Sequence, residues 1–164
     1  MDGLVEIGLT EGIMEAEHLD SEVFDRDELV VIVPRKHPLL ARKGVTAREV
    51  CREPFILREE GSGTRAVIEQ ALRKRGLAVT PVLSLASPEA IKRAVIAGLG
   101  IAIISRLAVD AELQAGTLAL LPVKDMVVHR PLHLQKMRGK TQSPATVAFL
   151  EILASRGGRP ACAR

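Results

Sequence analysis

In this 164-residue chain, Gly61-Ser62-Gly63-Thr64 is the stretch best suited to chemistry. It stands directly before a helical pattern. Free backbone N–H groups and the helix dipole favour an anion there, and glycines let a ligand approach the main chain closely. The hydroxyls of Ser62 and Thr64 add hydrogen bonds that can be redirected. Two uses of Ser62 stay open from the residues alone: a contact to a bound anion, or an N-cap that accepts from its own helix. Ser87-Pro88 poses the same question at a second helix start, where Pro88 reads as a first-position helix residue. Thr10 and Glu11 end a short apolar run and form a third polar point. Glu11, Glu59 and Glu89 bring negative charge near these positions and complicate a purely anionic ligand.

Other chemistries find little machinery. Gly61-Ser62-Gly63 is not a nucleophile elbow, because Glu60 stands where glycine is needed. No His–carboxylate pair is placed by motif to activate Ser62. Gly98-x-Gly100 precedes a strand instead of following one, and Ile103 occupies the third glycine's place, so it reads as a helix stop and not a dinucleotide fingerprint. His129 and His133 flank Pro131 and share one face of a strand. Without a third ligand they read as surface residues, and no metal is expected. Cys51 and Cys162 lie far apart and read as free thiols. No enzyme activity and no cofactor are expected.

The elements that must position these residues follow from periodicity. Leu4 to Leu9 reads as a short strand. Leu29-Val30-Val31-Ile32-Val33 and Pro54-Phe55-Ile56-Leu57 are apolar runs expected to be buried on both faces. Between them Thr46 caps a short helix through Cys51. The helix after Ser62 carries Val67, Ile68, Ala71 and Leu72 as its stripe and stops at Gly76. Val82 to Leu85 is a strand, and the helix after Ser87 carries Ile91, Ala94 and Val95 and stops at Gly98. Ile101 to Ile104 is a further strand and Leu107 to Leu113 a helix. Short alternation of this kind predicts a mainly parallel sheet covered by helices. A late strand near Pro131 to Lys136 and a helix from Ser143 to Ala154, with Phe149, Ile152 and Leu153 inward, complete the chain.

The organisation read from this is a first-lobe fragment (residues 1–26), a second α/β lobe (27–123), a return to the first lobe (124–155) and a disordered basic tail (156–164). One N-terminal strand with one late strand and helix cannot bury their own apolar faces, so further sequence upstream of Met1 is expected. Composition is that of a globular protein, 47% hydrophobic and 26% charged. No apolar run is long enough for a membrane span, and no signal peptide is visible, so the expected compartment is the cytoplasm. Net charge is +3, but the charges are interspersed, and 3 Phe with no Trp or Tyr leave few stacking platforms. The chain by itself does not read as a DNA binder.

Four motifs, in order, resemble the effector domain of LysR-type transcriptional regulators. Asp2-Gly3-Leu4-Val5-Glu6-Ile7-Gly8-Leu9-Thr10-Glu11-Gly12 is similar to the family strand G-x-L-D-L-G-L-V-E-G. Glu28-Leu29-Val30-Val31-Ile32-Val33-Pro34 with His37-Pro38-Leu39 resembles its crossing strand. Pro54 to Arg65, with Gly61-Ser62-Gly63-Thr64 inside it, is similar to its second-lobe loop. Ser87-Pro88-Glu89-Ala90-Ile91-Lys92 with Gly98-Leu99-Gly100-Ile101 resembles its S-x-E-x-I…V-x-x-G-x-G-I unit.

The resemblance covers Asp2 to Leu153. It implies a type-2 periplasmic-binding-protein-like fold, two α/β lobes with a ligand cleft, the first lobe being incomplete here. It also implies a small-molecule effector, a carboxylate or an inorganic anion. The ligand-binding residues are then Thr10, Glu11, Ser62, Gly63, Thr64 and Ser87. A complete regulator of this family carries an N-terminal winged helix-turn-helix that binds DNA, and it forms homo-oligomers. The chain departs from that pattern by starting inside the first lobe. A transporter's solute-binding protein of the same fold is the alternative, and a small enzyme on this scaffold a further one.

Overall fold

The computed structural model describes residues 5–11 and 17–156. The chain divides into two compact units. One is drawn from the segment up to Asp27 and the segment from Arg130 onward, and the other is Glu28–His129. Strands β1 (Ile7–Thr10), β2 (Leu19–Pro34), β3 (Phe55–Arg58), β4 (Pro81–Leu85), β5 (Ile101–Ser105), β6 (Leu118–Leu120) and β7 (Val128–Met137) alternate with helices α1 (Ala47–Val50), α2 (Gly63–Arg73), α3 (Pro88–Ile96), α4 (Asp110–Gln114) and α5 (Pro144–Arg156).

In the Glu28–His129 unit the strand order is β6-β2-β5-β3-β4. β3 runs parallel to β4 and to β5, whereas β2 is antiparallel to both β5 and β6. Four strands therefore share one direction and β2 alone opposes them. The parallel neighbours β3 and β4 are joined by a helical crossover through α2, and α3 carries the chain from β4 past β3 to β5.

Strand alternation then explains the two cores. Val31, Val33, Phe55, Leu57, Ile101 and Ile103 meet Ile68 and Leu72 of α2 on one face. Ile32, Ile56, Ala102 and Ile104 meet Ile91 and Val95 of α3 on the other. The apolar runs are buried on both faces, as their lack of polar alternation requires. Gly100 has a specific cause: a Cβ there would stand 2.5 Å from the Pro54 carbonyl oxygen. That carbonyl accepts from the Ile101 N–H at 2.8 Å, so the strands approach too closely for any side chain.

Several expectations need amendment. β2 begins at Leu19, ten residues before its apolar run, because Leu19 to Glu28 is a polar strand stretch that periodicity does not reveal. The helix expected from Leu107 is a short 3-10 turn, Arg106–Ala108, followed by α4. β6 was not anticipated; only Leu118 of its three residues is fully buried.

In the other unit β7 lies between β1 and β2. His129 is exposed, but His133 is only 5% exposed, so the surface reading of the second histidine is wrong. Its Nδ1 lies 3.2 Å from the Ser21 hydroxyl of β2. On α5 Leu153 is half-buried, but Phe149 and Ile152 are 42% and 54% exposed. The inward stripe is Thr146, Leu150 and Leu153, at spacings of four and three, and Phe149 and Ile152 fall beside it. α5 reaches Arg156, and the rest of the basic tail, with Cys162, lies outside the described residues. Gly12 does too.

Candidate functional site: two helix starts at one end of the sheet

α2 follows β3 and α3 follows β4, and these strands are parallel neighbours, so both helix starts lie at the carboxyl end of the same sheet. α3 leads back across to β5 on the far side of β3, which places the reversal of winding between the neighbours β3 and β5. Crevices outside the carboxyl ends of strands at such a reversal are where doubly wound sheets receive ligands.

The two starts differ in what their serines do. Ser87 caps α3: its hydroxyl oxygen accepts from the Ala90 N–H at 3.2 Å, and Pro88 occupies the first turn. Ser62 sits in the N-cap position of α2 with extended backbone, yet its side chain makes no cap hydrogen bond. The capping explanation for Ser62, open from sequence, therefore does not hold. Gly61 before it has φ +84, a conformation costly for other residues, and a Cβ at Gly63 would meet nothing within 4 Å. The main chain around Ser62 is thus open to close approach. Thr64 is different again. It lies on the buried stripe of α2 with Ile68 and Leu72 and is 5% exposed, so its side chain faces the sheet.

The three glutamates that complicated an anionic ligand each have a cationic partner. Arg58 meets both oxygens of Glu59, Nε to Oε2 at 2.8 Å and Nη2 to Oε1 at 2.9 Å, and this holds the Glu59 carboxyl at about 2. Lys92, one turn into α3, contacts Glu89 at 2.5 Å and Glu112 at 2.8 Å, and donates to the Ala108 carbonyl at 2.9 Å. Burial pulls the Lys92 ammonium down, but Glu112 and Glu89 outweigh it and its net shift is upward. Lys92 in turn holds the Glu112 carboxyl below its ordinary range.

In the other unit Arg130, 4% exposed, binds buried Asp27 through Nε and Nη2 and also pairs with Glu11. Glu11 is thereby committed to a guanidinium. Thr10 stands one residue earlier, at the end of β1 and opposite His133.

Sequence reasoning missed Arg58, Lys92 and Arg130 as the residues that neutralise these acids. The Glu89–Lys92 spacing of three along one helix was a readable signal. Arg130 gave none, since 119 positions separate it from Glu11. Among the described residues there is no cluster of three metal-ligating side chains.

Residues 1–158 match the family model of the LysR substrate binding domain. The chain belongs to that family. Among its relatives, a RuBisCO operon transcriptional regulator of Allochromatium vinosum is 35% identical over 144 residues, 88% of this chain and 48% of the relative. The HTH-type regulator CfxR of Cupriavidus necator is 39% identical over 117 residues, 71% of this chain and 37% of the relative. The LysR chain described here thus spans about half the length, or less, of the curated relatives it matches. Its fold superposes on the regulatory domain of Synechocystis CcmR in complex with 2-PG, with a TM-score of 0.86 and 29% identity over 96% of this chain and 76% of that one. The LysR effector-binding domains share the type-2 periplasmic-binding-protein-like α/β fold, and this is the fold here. No described helix is long and apolar enough to cross a membrane.

Proposed function

We propose that this LysR substrate-binding domain is the effector-sensing part of a transcription regulator, and that a small anion, a carboxylate or an inorganic oxyanion, is received at the start of α2. The observation that carries the reading is the Ser62 hydroxyl, held at a glycine-flanked helix N-terminus and not used to cap it. The first-turn N–H groups of α2 and the Ser62 hydroxyl supply donors, and the helix dipole adds attraction. Pairing of Glu59 with Arg58 cancels one charge that would oppose an anion at this end of the sheet, and Lys92, shared between Glu89 and Glu112, offsets part of the other.

Ser87 remains in the proposed set through its hydroxyl hydrogen, since only its oxygen is used by Ala90. Thr64 contributes its main chain more than its buried side chain. Glu11 is not carried forward as a ligand contact, because Arg130 holds its carboxylate. Transmission to DNA would run through a DNA-binding domain outside this chain and through the oligomer. It requires the effector to favour one conformational state over another.

Calorimetric titration with sulfate, phosphate, small carboxylates and 2-PG tests this. At least one is expected to bind, with Ser62→Ala weakening it tenfold or more. A panel without a binder overturns the anion reading, and a binder indifferent to Ser62→Ala overturns the site.

A further inference from the structure

A second binding place lies within the Glu28–His129 unit, at the opposite edge of its sheet from β4. β6 pairs with β2 only through Ile32, Val33 and Pro34, and the last bond on that edge runs from the Leu121 N–H to the Val31 carbonyl at 2.9 Å. Pro122 follows, and the chain turns away. Lys124 N–H then bonds the Val45 carbonyl, the Asp125 carboxylate takes the Ala47 N–H, and Arg75 donates to the Asp125 carbonyl. These bonds hold the excursion off the β2 edge. A groove of about 300 Å3 opens there, walled by Val30, Leu120, Pro122 and Val127, with Glu28 and Arg106 as its charged residues. That volume is at the small end of ligand pockets.

Two features mark the groove as more than a gap. Val127 is 63% exposed, an apolar side chain left uncovered where the groove opens. Arg106 lines the groove with a side chain 39% exposed, and its inner nitrogen, Nη1, is buried without a hydrogen-bond partner. Its ionic neighbour, Asp110 Oδ1, stands 3.4 Å away and belongs to a side chain 58% exposed. A guanidinium that lines a groove takes its acceptor there through its accessible part, and a carboxylate oxygen is the acceptor that suits it.

We propose that this groove binds a small branched apolar monocarboxylate, its carboxylate on Arg106 and its alkyl group on Val30, Leu120, Pro122 and Val127. This site shares no residue with the helix starts of α2 and α3, so its occupancy does not depend on the reading given to them. Asp110 competes with the ligand for the guanidinium, and Glu28 opposes an anion.

Isovalerate and its neutral isostere isovaleramide are the probes, titrated into the full chain and followed by amide chemical shifts. Isovalerate is expected to perturb Val30, Arg106, Leu120 and Val127, leave Gly61 to Thr64 unmoved, and bind at least tenfold more tightly than isovaleramide. Arg106→Gln should weaken isovalerate about tenfold, and Asp110→Asn should tighten it by a few-fold. Val127→Ser, at an exposed position that does not threaten folding, should weaken acid and amide alike. Equal binding of the two probes, shifts elsewhere, or an affinity indifferent to both Arg106→Gln and Val127→Ser overturns the proposal.

Discussion

The starts of α2 and α3 look alike in sequence, a serine before a helix at the end of a parallel strand, and the structure puts them to different uses. At α3 the serine caps, a proline fills the first turn, and Lys92 ties the helix to Glu89, Glu112 and the Ala108 carbonyl. At α2 the serine is flanked by glycines, makes no cap bond, and precedes a first turn with no acidic residue. One start is finished by its own side chains, and the other keeps donors in hand. A cap residue is thus diagnostic by what its oxygen does and not by its type.

The largest effect should come from breaking the finished start. Lys92 is 6% exposed at its side chain, and Lys92→Ala would leave Glu112, whose Oε2 is already buried without a partner, uncompensated. The expected loss is about 3 kcal/mol in urea unfolding. Lys92→Met, which fills the space without the charge, should lose less than Lys92→Ala if volume matters alongside the ion pair. A loss within about 0.5 kcal/mol for Lys92→Ala would remove the tie from the account.

The serines come next. Ser87→Ala should cost about 1 kcal/mol, the usual worth of an N-cap bond, whereas Ser62→Ala should stay within about 0.5 kcal/mol of the parent. Equal costs would mean that Ser62 caps in solution and would erase the contrast.

The smallest effect concerns pH. Glu59 is lowered from 4.5 to about 2 by its hydrogen bonds with Arg58. A carboxyl depressed on folding stabilises fully above its unfolded pKa, and that contribution is lost as pH falls through the folded value. Here it should be complete above about pH 5 and gone below about pH 2. A carboxyl-carbon NMR titration of Glu59 should therefore show no protonation step near 4.5. Arg58→Gln should restore one.

Much of this fold could be read from residue order. The runs at Leu29 to Val33 and Ile101 to Ile104 lack polar alternation, which demands burial on both faces, and Gly76 and Gly98 close their helices with φ +66 and +76. What escaped was set by distant partners. The polar stretch Leu19 to Glu28 becomes a strand where Asp27 meets Arg130 and Ser21 meets His133, pairings no local pattern announces. Phe149 and Ile152 were placed inward on hydrophobicity alone, although the helix rotates Thr146, Leu150 and Leu153 to that side. For the candidate site, sequence located Ser62 and Ser87 and could not separate them. Separation needed the position of one hydroxyl relative to one N–H.

The most direct test titrates a bound anion against Ser62→Ala and Ser87→Ala side by side, with the stability of each measured in the same buffer. The account predicts that Ser62→Ala loses tenfold or more in affinity at unchanged stability, and that Ser87→Ala loses stability with a smaller change in affinity. The reverse pattern, or equal affinity losses in the two variants, would contradict it.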